Sequence, residues 1–368
     1  MHVAHLTSAH HRDDVRIFHK MCRSLTRAGH DVRLIVADGR GQDAVDGVRI
    51  TDVGRPSGRL WRMMATTRRI LRAASAADAD VYHLHDPELL PVGLFLKRRG
   101  KSVIFDAHED LPRQILAKSY IPRKLRPGLA AVLGRFEEFA CRRLDAVVAA
   151  TPAIREKFAR QGIACVDINN FPMLEEMTPK PRSADSPAIE VCYVGGISRS
   201  RGIREMVAAI GRSEIATGLI LAGDFQEAGL RTEVAAMDGW RKVTELGFQS
   251  RSGIREVLAR SCAGLVTLHP TPAYVDALPV KMFEYMAVGI PVIASDFPLW
   301  RTIVETADCG ICVDPMDARA ISAAIDRLLS DPVAAARMGE NGRKAVLARY
   351  NWGIEERKLL SLYEQIEG

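Results

Sequence analysis

Apolar and polar positions along this chain alternate in two successive trains. Each train is a series of short β-branched runs separated by stretches with helical spacing. In the first train, residues 2–7 alternate like a strand, residues 8–14 form a polar loop, and residues 15–28 place Ile17, Met21, Leu25 and Ala28 on one helical face. Gly29 ends that helix and residues 32–36 read as the next strand, which makes a βαβ unit. Residues 48–51 are strand-like, 62–74 read as a basic amphipathic helix, and 80–85 as a strand running into Asp86-Pro87-Glu88. Residues 102–106 are a strand that ends in Ala107-His108-Glu109-Asp110. A basic segment, 118–143, carries a helix from about residue 127. Residues 145–150 are a strand, and Thr151-Pro152 reads as a cap followed by a first-turn proline. Residues 165–168 lead to Asn169-Asn170-Phe171-Pro172, and residues 180–187, rich in Pro, Ser and charge, read as a linker.

The second train has strands at 189–194, 219–223, 243–247, 263–268 and 310–313, with helices at 203–210, 254–259 and from 318 onward. Its densest stretch is 276–295. Pro279 suits a first helical turn, Met282, Phe283, Met286 and Ala287 form an apolar face, and Gly289 is a natural stop. Val292-Ile293-Ala294-Ser295 then reads as a buried parallel strand. Two carboxylates, Asp276 and Glu284, bracket the start of this helix, whose free N–H groups suit an anion such as a diphosphate; an ordinary α/β unit with solvent-facing acids remains the alternative. The two trains predict an α/β protein of two doubly wound domains, with ligands at the strand C-termini in a cleft between them.

Composition sharpens this picture. The 368 residues suit two domains of ordinary size, and no stretch approaches the roughly 18 apolar residues of a membrane span. The first residues turn polar too early for a signal peptide, so the cytoplasm is the expected compartment. Seven scattered cysteines suggest no disulfide framework, although Cys309 and Cys312 form a lone C-x-x-C open to a redox or metal reading. Residues 1–175 hold 29 Lys and Arg against 20 Asp and Glu, a net +9, while the remainder, with 22 against 25, nets −3. A basic first half attracts phosphates or an anionic membrane surface. Aromatics are not interleaved with the basic residues, which argues against nucleic acid as a partner.

Several short stretches, in this order and spacing, resemble the GT-B fold glycosyltransferases, specifically the large retaining family numbered four. The carriers are the glycine loop Gly195-Gly196-Ile197-Ser198-Arg199-Ser200-Arg201-Gly202 and the paired-acid stretch 276–295. Supporting them are Ala28-Gly29-His30-Asp31-Val32, Phe105-Asp106-Ala107-His108-Glu109 and Leu221-Ala222-Gly223. The resemblance implies an acceptor-side Rossmann-like domain over residues 1–175, a nucleotide-sugar-binding one over 176–352, and a helix, 353–368, that crosses back after Tyr350-Asn351-Trp352. It implies a nucleoside-diphosphate sugar donor, UDP- or GDP-linked, bound by Gly195, Gly196, Arg201, Gly247, Phe248, Leu278, Pro279 and Glu284. Glu284 is implied on the ribose hydroxyls, and the nucleobase lies against backbone near Gly247 and Phe248. His108 and Asp276 take the catalytic positions, facing the donor sugar. His11, Arg12, Glu109 and Asp110 fall on the acceptor side. No cofactor and no metal are expected, because helix dipoles and cations stabilise the leaving diphosphate.

The chain departs from the family pattern at three places. Gly196 replaces an Arg, which removes one phosphate contact worth roughly 1.5–3 kcal/mol; Arg201 keeps the other cation, and Arg199 or the Arg12/Arg16 loop are candidates to replace the missing one. Asp276 is one methylene shorter than the usual Glu. The first loop carries Ser8-Ala9-His10-His11-Arg12-Asp13 where relatives have a glycine pair. The expected activity is retaining hexosyl transfer to a glycan or polyprenyl-diphosphate-linked acceptor in bacterial surface polysaccharide, for example lipopolysaccharide, at the inner membrane face. A sugar-nucleotide epimerase of the same fold and a non-catalytic sugar-nucleotide-binding subunit are the alternatives, and a dehydrogenase is disfavoured because no G-x-G-x-x-G follows a strand.

Overall fold

The computed structural model describes residues 1–58, 61–118, 121–177 and 189–367, so the segment read as a linker, 180–187, lies outside the described residues. Two compact units emerge, Met1–Asn170 with Ile354–Gly368, and Phe171–Gly353. The family expectation of two parallel-sheet α/β domains holds for both.

The first unit contains β1 (His2–Leu6), β2 (Asp31–Val36), β3 (Asp43–Val45), β4 (Val48–Asp52), β5 (Val81–Leu84), β6 (Ser102–Ala107), β7 (Ala146–Ala149) and β8 (Cys165–Asp167). They form one sheet in the order β3-β4-β2-β1-β5-β6-β7-β8. Every neighbouring pair is parallel except β3–β4. That hairpin is absent from the hydrophobic pattern because β3 is fully exposed, yet Asp46-Gly47, both at positive φ, is the two-residue turn such a hairpin needs. The first helix begins as a π-helix, Val15–Cys22, capped by Asp14, whose carboxylate accepts the N–H groups of Arg16 and Ile17 at 2.9 Å. It continues as α-helix only through Arg23–Arg27, so Ile17, Met21 and Leu25 are buried while Ala28 is exposed. The wider π turn also brings Arg16 and Lys20 inward. Leu359 and Tyr363 of the final helix, Trp352–Glu367, are fully buried, and Glu355 accepts the Asn169 N–H at 2.8 Å.

The sheet of the second unit is wholly parallel, in the order β11-β10-β9-β12-β13-β14. Its strands are β9 (Glu190–Val194), β10 (Gly218–Ala222), β11 (Val243–Gly247), β12 (Ser261–Val266), β13 (Val292–Ser295) and β14 (Gly310–Val313). The helix Val280–Val288 lies on one face and buries Met282, Phe283, Met286 and Ala287 against Cys192, Val194, Ile220 and Val266. Each large side chain so buried contributes about 1.5–3 kcal/mol. Pro279 is the cap of this helix rather than a first-turn residue, and Gly289, at φ 79°, ends it. Gly264 has to be glycine because the Tyr285 ring occupies the place of a Cβ, and the Tyr285 hydroxyl accepts the Val194 N–H at 2.9 Å.

In both units the strand order reverses beside the first strand, between β1 and β5 and between β9 and β12. The crevice beyond the strand C-termini at such a switch point is where doubly wound sheets hold ligands.

Candidate active site

At the first unit's switch point, β1 runs into the loop 7–14 and β5 into His85-Asp86. Asp86 organises the loop: its carboxylate accepts the Thr7 hydroxyl at 2.8 Å, the Ser8 N–H at 2.6 Å and the Ala9 N–H at 3.2 Å. This explains how the chain does without a glycine pair here, since a buried carboxylate gathers the backbone donors. His10 sits between two acids, with Nδ1 3.2 Å from Asp14 and Nε2 3.6 Å from Asp86. Burial opposes its protonation, but the bond to Asp14 and the charge of Asp86 outweigh that and raise its pKa.

Asp106, near the end of β6, is fully buried and is the hub of this unit's polar group. Arg16 grips it with two bonds, Nε at 2.9 Å and Nη2 at 2.7 Å, and donates a third to the Ile168 carbonyl at 2.7 Å. His108 Nε2 lies 2.9 Å and His85 Nδ1 3.2 Å from the same Asp106 oxygen. Burial would raise the Asp106 pKa, but Arg16 first, then His108 and His85, hold it well below the usual carboxylate range. An ionised carboxylate only accepts, so both imidazoles donate to it. That assigns the His85 tautomer, leaves its Nε2 to accept from His5 Nδ1 at 2.9 Å, and leaves the His108 Nδ1 uninvolved in the bond to Asp106. His108 keeps about a fifth of its side chain exposed.

Behind this hub stand three stacked histidines, brought together by the β1–β5 register that pairs His5 with His83. Ring centroids are 4.8 Å apart for His5–His83 and for His83–His85. The His83 Nδ1 lies 2.9 Å from the Tyr363 hydroxyl. Burial and then the neighbouring His85 push His5 and His83 well below the ordinary imidazole pKa. Among the described residues, His83, His85 and Asp106 bring ligand atoms within 4.8 Å of one another, a grouping that sequence spacing does not reveal. Both Asp106 oxygens are already engaged, and a buried guanidinium beside them repels a dication, so this donor set does not fit a metal.

The remaining residues expected on the acceptor side differ in their surroundings. His11 is exposed, whereas Arg12 is buried and spent on Asp38 at 2.8 and 2.7 Å, Asp43 at 3.3 Å and the Gly41 carbonyl at 2.7 Å. Asp110 caps the helix Leu111–Ala117, accepting the Arg113 N–H at 3.2 Å, and Glu109 accepts from the Gln114 amide. Arg12 and Asp110 thus both hold partners within this unit.

At the second unit's switch point, β9 runs directly into Gly195 and Gly196. Gly195 adopts φ 115° and donates its N–H to the Ala222 carbonyl at 2.8 Å. The Gly196 carbonyl accepts from Arg201 Nη1 at 2.9 Å and from the Tyr193 hydroxyl at 2.8 Å, which braces the loop. A Cβ at Gly196 would collide with the Gln226 amide and approach Arg201, so Gln226 fills the room of the missing side chain. Gly202, at φ 80°, caps the helix Ile203–Arg212 pressed against the Thr267 carbonyl. Gly247 ends β11 at φ 65°, and Phe248 beyond it is 79% exposed. Asp276, Leu278, Pro279 and Glu284 are all half-buried around the start of the Val280–Val288 helix. The turn holding Asp276 is pinned by the Trp300 indole, which donates to the Ala277 carbonyl at 2.7 Å. Arg199 is paired with Glu233 and Glu227, Arg16 with Asp106 and Arg12 with Asp38, so each candidate for the Arg replaced by Gly196 already holds an acid. The C-x-x-C is two separate free thiols: Cys309 packs in the core, and burial pushes both up to about 12, far from a reactive thiolate.

The comparisons with known proteins agree with this fold. The model for glycosyl transferases group 1 matches residues 176–345, and the model for the glycosyl transferase 4-like domain matches residues 15–169. The chain belongs to the GT-B glycosyltransferases of the GT4 type. Among its relatives, the phosphatidyl-myo-inositol mannosyltransferase of Mycobacterium leprae is 24% identical over 314 residues, 84% of this chain and 79% of that protein. The alpha-D-kanosaminyltransferase of Streptomyces kanamyceticus is 28% identical over 48% of this chain and 45% of its own. Sucrose-phosphate synthase from Thermosynechococcus elongatus superposes with a TM-score of 0.78 at 19% identity, over 99% of this chain and 98% of that one. Anabaena HepE in complex with UDP-glucose gives 0.76 at 16% identity, over 99% and 100%.

Proposed function

We propose that this enzyme transfers a hexosyl group from a UDP- or GDP-sugar, with retention of anomeric configuration, to a glycan or lipid-linked acceptor in bacterial surface polysaccharide synthesis. The observation that carries the reading is that, at the second unit's switch point, the Gly195–Gly196 loop is braced by Arg201 and met by Lys281 of the helix that carries the half-buried acid Glu284. Glu284 receives the ribose hydroxyls, and Gly247 and Phe248 flank the base. His108, oriented by Asp106, takes the sugar-contacting role, and Asp276 the second catalytic position. The leaving diphosphate is balanced by cationic side chains, so the reading calls for no metal.

A lipid-linked acceptor and an anionic membrane surface are supported by the first unit's exterior. Along the helix Arg126–Cys141 and the residue before it, Leu125, Leu129, Val132 and Phe139 are exposed on one face. Arg143 lies 3.6 Å over the Phe139 ring, and Arg123, Lys124 and Arg135 are exposed alongside. An apolar ridge flanked by cations suits in-plane binding to anionic lipid. The M. leprae relative is, by name, a transferase acting on a phosphatidylinositol lipid.

The test is product analysis with UDP- and GDP-hexoses, with and without candidate acceptors. Acceptor-dependent release of nucleoside diphosphate, with an axial-type glycoside retained from the donor by NMR, is expected. Interconversion of sugar nucleotides without acceptor would mean an epimerase, and tight binding with no turnover a binding subunit.

A further inference from the structure

One polar group near the donor loop is left over by the assignments above. Lys281, the second residue of the Val280–Val288 helix, keeps part of its stem exposed, but its Nζ atom is buried and has no hydrogen-bond partner. The ammonium rests 3.7 Å above the Tyr193 ring. A point at the Cβ position of Gly195 lies 3.2 Å from Lys281 Nζ and 4.0 Å from Arg201 Nη1. Two cations therefore flank the same small space over the glycine loop.

The Tyr193 ring offsets part of the cost of this arrangement, but the rest of its surroundings disfavour a charge there. A buried ammonium without a partner is unfavourable, and a cation in the first turn opposes the helix dipole. Arg201 adds repulsion, which Glu284, three residues along the same helix, only partly offsets; burial first and then Arg201 bring the Lys281 pKa well below its ordinary value. A ligand that carries negative charge to that space removes all three penalties at once.

We infer that Lys281 is a phosphate ligand of this enzyme: with Arg201 it clamps the donor diphosphate and replaces the cation lost where Gly196 stands. The inference rests on the sugar-nucleotide reading above. It also explains why Gly196 is tolerated, because an arginine there would crowd Gln226 and Arg201, whereas Lys281 reaches the same space from the other side of the loop.

The test is calorimetric titration of the full-length protein with UDP and GDP, with uridine and guanosine as phosphate-free controls. The variants are Lys281→Met, which keeps the stem, and Lys281→Gln, with thermal unfolding of each ligand-free protein alongside. Diphosphate affinity is expected to fall at least tenfold in both variants, nucleoside affinity to stay within twofold, and ligand-free stability to stay equal or rise. The last readout separates a ligand from a structural lysine, whose loss lowers stability. Diphosphate affinities within threefold of wild type in a folded variant would overturn the role of Lys281 alone. Failure of the wild-type protein to bind either diphosphate would overturn the donor reading together with it.

Discussion

Replacing Asp106 by Asn probes the polar hub of the first unit. The carboxylate is completely buried and accepts four bonds, two from Arg16 and one each from His85 and His108. The amide keeps the shape but removes the charge, leaving the buried Arg16 guanidinium with only the Ile168 carbonyl and one amide oxygen as acceptors. Breaking one side of a buried pair this way costs about 3–5 kcal/mol, a large part of the 5–15 kcal/mol typical of a folded domain. Urea unfolding by circular dichroism should show a loss of about 3 kcal/mol or more, with hydrogen exchange localising it to β1, β5 and β6. In the double variant Asp106→Asn/Arg16→Met most of the loss should be recovered, since no uncompensated charge remains. A loss under about 1 kcal/mol for the single variant, or no recovery in the double, would refute the assignment of Asp106 as an ionised partner of Arg16.

Further outcomes follow from the same geometry. His5, His83 and His85 have folded pKa values below the unfolded 6.5, so the stability from burying them neutral is complete above pH 6.5 and is lost as pH falls below it. Each contributes up to about 1.4 kcal/mol per pH unit, and urea midpoints should fall steeply from pH 6.5 to 5.5, whereas a flat profile would contradict neutral burial. His10, with a raised pKa, works oppositely: its contribution is present below 6.5 and fades as pH rises through the raised value. Gly202→Ala forces an L side chain into the left-handed region against the Thr267 carbonyl, and should lower stability by at least about 1–2 kcal/mol and weaken donor binding. Flotation with anionic vesicles at low salt should capture the protein, and Leu129→Ser/Val132→Ser/Phe139→Ser should abolish capture. Unchanged capture would remove that helix from the membrane reading.

Much of the scaffold can be read from the chain because parallel strands are buried on both faces and so appear as short apolar runs, such as Leu219-Ile220-Leu221. Gly289 marks the end of its helix because only an αL residue closes it there. The exposed strand β3 leaves no such trace, and the π turns of Val15–Cys22 shift which residues face inward. The glycine loop and the acid-bearing helix are legible as local stretches, each continuous in sequence. The histidine stack is not, because His5, His83, His85 and Asp106 meet only through strand pairing; its one signal is a polar residue in the middle of strands that are otherwise apolar. Lys281 sits inside the stretch that carries the family resemblance, yet its isolation depends on what surrounds its ammonium, which no spacing encodes.

The most direct test of the account is the affinity of the enzyme for its sugar-nucleotide donor with and without Arg201. A titration panel of UDP- and GDP-hexoses against wild type and Arg201→Ala is predicted to find at least one donor whose binding weakens tenfold or more in the variant. Binding within threefold of wild type for every donor that binds would contradict the placement of the diphosphate on the Gly195–Gly202 loop.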